Sequence, residues 1–247
     1  MRWKIATAAV LALGIAVPAA TATAAQNGTP TACETAAATI TIVKGSGQSA
    51  VVGSEYGQQL ELKVTDGMGN PVTNCPVNLA VTAGSGGAGA TIVSNGRTSI
   101  VHHTSVTNGT LREQIKANAH AGAFTVVATV VNNTAVTATF DETNNAAKAS
   151  SSIVPSSIAP GACTKFYFSV NTTTWNTVSV YGARGNRRVL AELGTQAPGL
   201  HAWTWCGKDS TGAQVEAGTY TIKLAARVGT GLSAPIVANT QQNVTVK

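Results

Sequence analysis

Charge is scarce in this 247-residue chain, where only 11% of residues are Asp, Glu, Lys or Arg. Charge so sparse excludes a disordered polyelectrolyte. Aromatics are scarcer still, at 5%. One apolar run sits at the N-terminus and no second one follows, which excludes a multi-span membrane protein. The 25 Gly and 8 Pro show no three-residue period, so a collagen-like fold is excluded. There are four cysteines, Cys33, Cys75, Cys163 and Cys206. They form no C-x-x-C pair and have no histidine at ligand spacing, which argues against zinc. No H-E-x-x-H, G-x-S-x-G or phosphate-binding glycine loop occurs. The glycine-rich stretch 83–90 lacks a neighbouring Lys for phosphate and reads as a flexible loop.

What the chain has in quantity is Thr, with 35, and Val, with 27. Both are β-branched and favour strands. Short runs of period two recur, as in Leu60-Glu61-Leu62-Lys63-Val64 and Tyr220-Thr221-Ile222-Lys223-Leu224. That alternation predicts strands with one face in a core and one in water. Turn signals such as Asp66-Gly67, Asn95-Gly96, Asn108-Gly109 and Ser210-Thr211-Gly212 separate many of the runs. Strands are predicted at 39–43, 59–64, 77–81, 111–117, 125–131 and 136–140. A second set is predicted at 165–170, 177–181, 188–193, 201–205, 220–227 and 237–246. Two such sets predict an all-β chain of two tandem β-sandwiches.

Residues 1–25 read as a secretory signal peptide. Arg2 and Lys4 precede the apolar run Ile5 to Val17, which is too short to span a bilayer comfortably, and small residues follow. Cleavage would leave 14 basic and 10 acidic residues, a net charge of +4. The bases do not cluster, and the densest group, Arg184, Arg187 and Arg188, reads as a solvated turn rather than a nucleic-acid footprint. The C-terminal residues Asn243 to Lys247 carry no hydrophobic tail. A secreted or cell-surface protein is expected, with no membrane span in the mature chain and no nucleic-acid partner.

The small polar stretch 143–152 reads as a linker. It divides the mature chain into sandwiches at 26–142 and 153–247, with 26–32 as a loose tail. An exported chain with an even cysteine count is expected to be oxidised. Three connectivities are possible. Two cysteines fall on each side of the linker, which favours Cys33–Cys75 and Cys163–Cys206. Aromatics are unequally shared: the first half has Tyr56, Phe124 and Phe140, the second has Phe166, Phe168, Trp175, Trp203, Trp205 and Tyr220. The first core must therefore rest on Val, Ile and Leu, and its disulfide should matter more.

The two halves do not look like copies of each other, and each resembles a different family. From about Gly47 to Phe140 the motifs are Asp66-Gly67-Met68-Gly69-Asn70-Pro71-Val72, Ala117-Asn118-Ala119-His120-Ala121-Gly122, Val126-Val127-Ala128 and Thr137-Ala138-Thr139-Phe140. This half resembles the bacterial Ig-like group 1 domains of invasin- and intimin-type adhesins. Cys75 is not part of that pattern. From about Lys165 to Arg227 the motifs are Val178-Ser179-Val180-Tyr181, then Gly185 and Val189. They continue with Gly199-Leu200-His201-Ala202-Trp203-Thr204-Trp205-Cys206-Gly207-Lys208-Asp209 and with Gly212, Ala217, Gly218, Thr219 and Tyr220. This half resembles the Ig-like domain of the flagellar hook-cap protein, also found at the ends of secreted bacterial proteins. That family usually has an acidic or amide residue where Cys206 stands, and the departure fits a bridge to Cys163. The resemblances imply an Ig-like fold and no hook-specific role.

Candidate chemistry is thin. His102-His103 on a strand would point to opposite faces and could not easily share a metal ion; a solvated loop pair is the expectation. Asp66 to Asn70 has half the look of a calcium loop but lacks its further carboxylates, so it reads as a turn, as does Lys208 to Gly212. Trp203 and Trp205 share a strand face and read as core. Trp175, beside Thr172-Thr173-Thr174, is expected to be exposed and is the one candidate ligand contact. A hydrolase would need histidine clustered in space with acids. The expectation is a non-enzymatic cell-surface, adhesive or matrix-associated module that needs no metal or cofactor and has a protein or glycan partner. The alternative is a carbohydrate- or wall-binding module using exposed aromatics.

Overall fold

The computed structural model describes residues 32–247 apart from 38, 106 and 132. The signal peptide read at 1–25, and all but the last residue of the tail at 26–32, lie outside the described residues. The regular structure described is almost entirely strand, with one five-residue helix, Ala32–Ala36, and one 3-10 turn, Ser85–Gly87.

The first half is a sandwich of a three-stranded and a five-stranded sheet. The smaller has the order Thr39–Lys44, Leu60–Thr65, Thr110–Glu113. The larger has the order Ser49–Val51, Asn133–Asn145, Gly122–Val130, Pro76–Thr82, Ser99–His103. A short extra pair, Ala90–Ile92 with Ile115–Ala117, closes one end. The second half repeats the plan. Its smaller sheet runs Ala149–Val154, Thr164–Val170, Gly199–Trp205. Its larger runs Ser157–Ile158, Ile236–Val246, Gly218–Arg227, Thr174–Tyr181, Arg187–Gln196. In both halves the opening strand belongs to the smaller sheet, and a short strand after it pairs in parallel with the last strand of the larger sheet. All the other named pairings are antiparallel. The chain is thus all-β, two tandem Ig-like β-sandwiches with one strand order despite unlike sequences.

Alternation builds each core. Along Gly122–Val130 the side chains of Phe124, Val126, Ala128 and Val130 are buried while their neighbours are only partly covered or exposed. Val, Ile and Leu with Tyr56, Phe124 and Phe140 fill the first core. Phe166, Phe168, Trp205, Tyr220 and aliphatics fill the second. Trp205 is core, as read: its indole N–H donates to the Lys208 carbonyl at 2.7 Å and its ring lies 5.3 Å from that of Tyr220. Trp203 packs, half-buried, on the same core.

Cys33 is bonded to Cys75, and Cys163 to Cys206. Thr164 and Trp205 are cross-strand partners, so the residues just outside them, Cys163 and Cys206, meet at the end of the ladder. Cys33 sits in the short helix, and its bond anchors that segment to the start of the strand Pro76–Thr82.

Several expectations are corrected. The stretch read as a linker is mostly strand. Thr143 to Asn145 pair with Ser49 to Val51, and Ala149 to Ser152 pair with Val170 to Tyr167. Only 146–148 lie outside a strand. Ala149 to Ser152 form a sheet edge, whereas Thr143 to Asn145 lie between two strands with Asn144 buried. The run 111–117 is broken at Gln114, because Thr110–Glu113 pairs with Leu60–Thr65 while Ile115–Ala117 crosses to Ala90–Ile92. Glu61, expected on a watery face, is buried: Arg112 lies 2.9 Å and Lys44 3.2 Å from its carboxylate. The Arg112 hydrogen bond, aided by Lys44, holds that carboxyl below the usual carboxylate range. The glycine-rich loop is tied down rather than loose. Gly84 N–H donates to Ala88 O at 2.9 Å, Asn118 donates to Gly87 O at 2.8 Å, and Ala88 is fully buried.

Candidate functional site

Trp175 sits near the start of the strand Thr174–Tyr181, between cross-strand partners Thr195 and Arg227. It is half-buried rather than exposed. The reason is tertiary: its ring lines a cleft of about 190 Å³ where the two sandwiches meet. Gly53 and Lys116 line this cleft from the first half. Thr173, Thr174, Thr195 and Arg227 join Trp175 from the second.

Close contacts build the junction. Ser54 and Thr172 hydroxyls lie 2.8 Å apart across it, and Thr172 is buried. Gly53 adopts a positive φ of 78°, and its N–H donates to the carbonyls of Ala117 and Asn118, each at 3.1 Å. A Cβ at Gly53 would lie 2.7 Å from Val228 Cγ2, so a side chain there collides with the second half. Below the cleft, the Thr174 hydroxyl donates to Asn176 Oδ1 at 3.1 Å, with both residues buried. Arg227 is aimed by one bond, from Nη1 to the Ala234 carbonyl at 2.8 Å, while its buried Nε has no partner. An aromatic residue, threonines and a cation from each half, gathered around one cleft, suit a polar ligand that accepts hydrogen bonds.

The remaining candidates are dispersed. His102 and His103 lie on the edge strand Ser99–His103, not in a loop, because Pro76–Thr82 offers a free edge for pairing. Their side chains diverge. His102 Nδ1 is 3.5 Å from Glu113 Oε2, while His103 Nδ1 is 3.2 Å from the Asn74 carbonyl. His102 is therefore paired with an acid, as a hydrolase would need. Among the described residues no group of three or more His, Cys, Asp or Glu side chains is placed to hold a metal. His201 Nε2 donates to the Ala197 carbonyl at 2.8 Å and its ring lies against Phe168; His120 is exposed.

Asp66 spends its carboxylate on its own turn. It accepts from the N–H of Met68 at 2.9 Å and of Asn70 at 2.8 Å, and from the Asn70 amide at 3.1 Å. The Asn70 side-chain bond leads in holding its carboxyl low. Asp209 does the same for its turn, with the Thr211 hydroxyl as the main cause.

Sequence reasoning missed the most unusual titratable group, Glu142. It faces inward, 2% exposed, and neither carboxylate oxygen makes a full hydrogen bond. Burial pushes its carboxyl up to about 8, Asp141 adds to this, and the backbone N–H of Gln48 offsets part of it. Burial, then the Glu142 charge, raise the Tyr56 phenol far above its ordinary value. The available signal was alternation: Phe140, Glu142 and Asn144 share the inner face of one strand.

Residues 161–229 match the FlgD Ig-like domain family. No curated protein sequence matches the chain. Solved structures similar to it include invasin, a bacterial integrin-binding protein, at 17% identity and a TM-score of 0.42, over 85% of this chain and 40% of that one. The I9–I11 tandem of titin is similar at 10% identity and 0.41, over 84% and 66%. The Yersinia pseudotuberculosis adhesin InvE is similar at 16% identity and 0.34, over 84% and 58%. The chain therefore spans less than two thirds of each of these structures. Among the described residues no helix is long and apolar enough to cross a membrane.

Proposed function

We propose that this is a secreted, non-enzymatic Ig-like protein that acts as an adhesive or matrix-associated binding module at a cell surface. The observation that carries the reading is the pair of disulfide-closed sandwiches with one strand order, held against each other by direct contact. Such a body resists unfolding outside the cell and presents edges and loops on a stiff frame. The division falls at 146–148, with the first half of the bacterial Ig-like group 1 type and the second of the hook-cap type. The export signal at 1–25 supports secretion.

A second reading has its own observation. The junction cleft sets Trp175 beside threonine hydroxyls, Lys116 and Arg227, which favours a saccharide or wall polymer as the ligand. A sedimentation assay tests both. Residues 26–247 are mixed with intact cells, isolated wall polymers and insoluble glycans across a salt range. Saturable, salt-resistant binding to cells supports the adhesive module. Binding to wall polymer or glycan that Trp175→Ala lowers about tenfold supports the cleft as its site. Binding that vanishes with salt reduces to attraction by net charge and refutes both readings.

A further inference from the structure

A groove of about 410 Å³ lies on the outer face of the second sandwich's larger sheet. Strand register builds its floor in rungs. Thr177, Ala225 and Asn239 are cross-strand partners, and so, on the next outward rung, are Ser179, Lys223 and Gln241. Their sequence neighbours Val178, Val180, Leu224 and Ala226 are buried in the core, so alternation aims these side chains outward. Leu190, Leu232 and Ile236 add apolar lining.

The floor is rich in uncommitted polar groups. Thr177 is 3% exposed, and its hydroxyl has no hydrogen-bond partner yet is not sealed from the groove that it lines. A covered hydroxyl without a hydrogen bond asks for an occupant that supplies one. The side chains of Ser179, Asn239 and Gln241 are likewise not hydrogen-bonded within the described residues. Arg187, Lys223 and Arg227 also line the groove, and no described acid does. None of these three cations joins an ion pair of the described residues. The one acid on the strands of this sheet is Glu192, exposed on the edge strand beside Thr177 and outside the lining. The Lys223 ammonium is held 5.1 Å from the centre of the Tyr181 ring, a cation–π contact that fixes where its charge sits. Arg227 gives one N–H to the Ala234 carbonyl and lines the junction cleft as well.

We infer that this groove binds a linear saccharide that carries an anionic group, carboxylate or phosphodiester, on successive units. The assignment rests on the saccharide reading of the junction cleft and extends it along the sheet through Arg227. Charge spacing argues for a polymer. Lys223 and Arg227 stand four residues apart on one strand, about 13 Å at Cα. Tyr181 pairs with Thr221, beyond Lys223, and so draws the ammonium further from Arg227. A single small anion cannot reach both cations. Hydroxyl and amide side chains in rows both donate and accept, as sugar hydroxyls do, and the aliphatic lining suits the C–H faces of sugar rings. An acidic peptide fits worse. An added strand pairs with a sheet at its edge, and this floor is made of side chains on a face.

The test measures binding to residues 26–247 by calorimetry at about 0.15 M salt, where unspecific attraction is screened. The probes are tetragalacturonate and a glycerol-phosphate tetramer, and the tighter binder names the anion. A dissociation constant on the order of 0.1 mM is expected for it. Lys223→Gln with Arg187→Gln, both exposed positions, should weaken it about tenfold. Lys148→Gln with Lys165→Gln removes the same charge from exposed positions outside the groove and should change affinity by less than about twofold. Thr177→Val should weaken it about threefold. Methyl-esterified tetragalacturonate, which is neutral, and the galacturonate monomer should each bind at least about tenfold more weakly than the acidic tetramer. Affinity that the groove pair leaves unchanged, that both variant pairs lower equally, or that the neutral tetramer matches would overturn the inference. Tetraglutamate binding as tightly would overturn the saccharide assignment. Trp175→Ala separates the two sites. Saccharide binding that it removes and the groove pair spares keeps the junction cleft and sinks the groove. Acidic-saccharide binding that the groove pair removes and Trp175→Ala spares upholds the groove alone.

Discussion

At the residue scale, Glu142 links the fold to pH. Its folded carboxyl titrates near 8 against an ordinary value of 4.5. Between those values the folded state holds a proton that the unfolded state has lost. Stability is therefore highest below about pH 4.5, falls as pH rises through that window, and levels off above about 8. Glu142→Gln keeps the neutral shape without the titration. Its melting temperature should match the parent at pH 4 and exceed it by several degrees at pH 9. Calorimetry at the two pH values checks this, and a parent that gains stability from pH 5 to 8 relative to the variant would contradict it. Half of this was legible. The alternation Phe140, Glu142, Asn144 places the acid on an inner face, but only the packed structure shows that Asn144 and Tyr56 are satisfied by each other and leave it alone. Trp175 shows the same division. Its sequence context suggests exposure, and the second contact surface, Gly53 with Lys116, comes from more than fifty residues away.

At the scale of elements, strands were readable wherever one face is core, as in Leu60–Thr65 and Gly218–Arg227. The strands Ser49–Val51, Ala90–Ile92, Ser99–His103 and Ser157–Ile158 were not. They are short edge or closing pieces whose pairing is supplied by a neighbour rather than by their own pattern. The helix Ala32–Ala36 likewise depends on its bond to Cys75, which closes a separation of 42 residues. Replacing Cys33 and Cys75 together by Ala should cost on the order of 4 kcal/mol through the freed loop entropy. Denaturant unfolding of the double variant against the parent measures this. The aromatic-poor first half should unfold first in the variant, with Trp203 and Trp205 fluorescence reporting the second half as a later transition.

For the whole molecule, the junction brings the two sandwiches into direct contact. Its contacts include the Ser54–Thr172 hydroxyl pair and the fit of Gly53 against Val228. A side chain at Gly53 meets both a positive φ and the second sandwich. Gly53→Leu should part the halves while leaving each folded. Small-angle scattering should show a wider spread of interdomain distances, and binding at the Trp175 cleft should weaken in parallel. An unchanged scattering profile would mean that the junction yields locally instead.

The sequence by itself determined that the chain is β, because period-two alternation and β-branched residues are local properties that strand formation reads directly. It also favoured Cys33–Cys75 and Cys163–Cys206 among three possible connectivities, because two cysteines fall on each side of the proposed boundary. Only the tertiary structure decided the shared strand order of two unlike halves, the parallel strand that closes each larger sheet, the meeting of Trp175 with Lys116 and the isolation of Glu142. These depend on which distant residues become neighbours, and a pattern with a memory of a few residues carries no information about pairs fifty or a hundred apart.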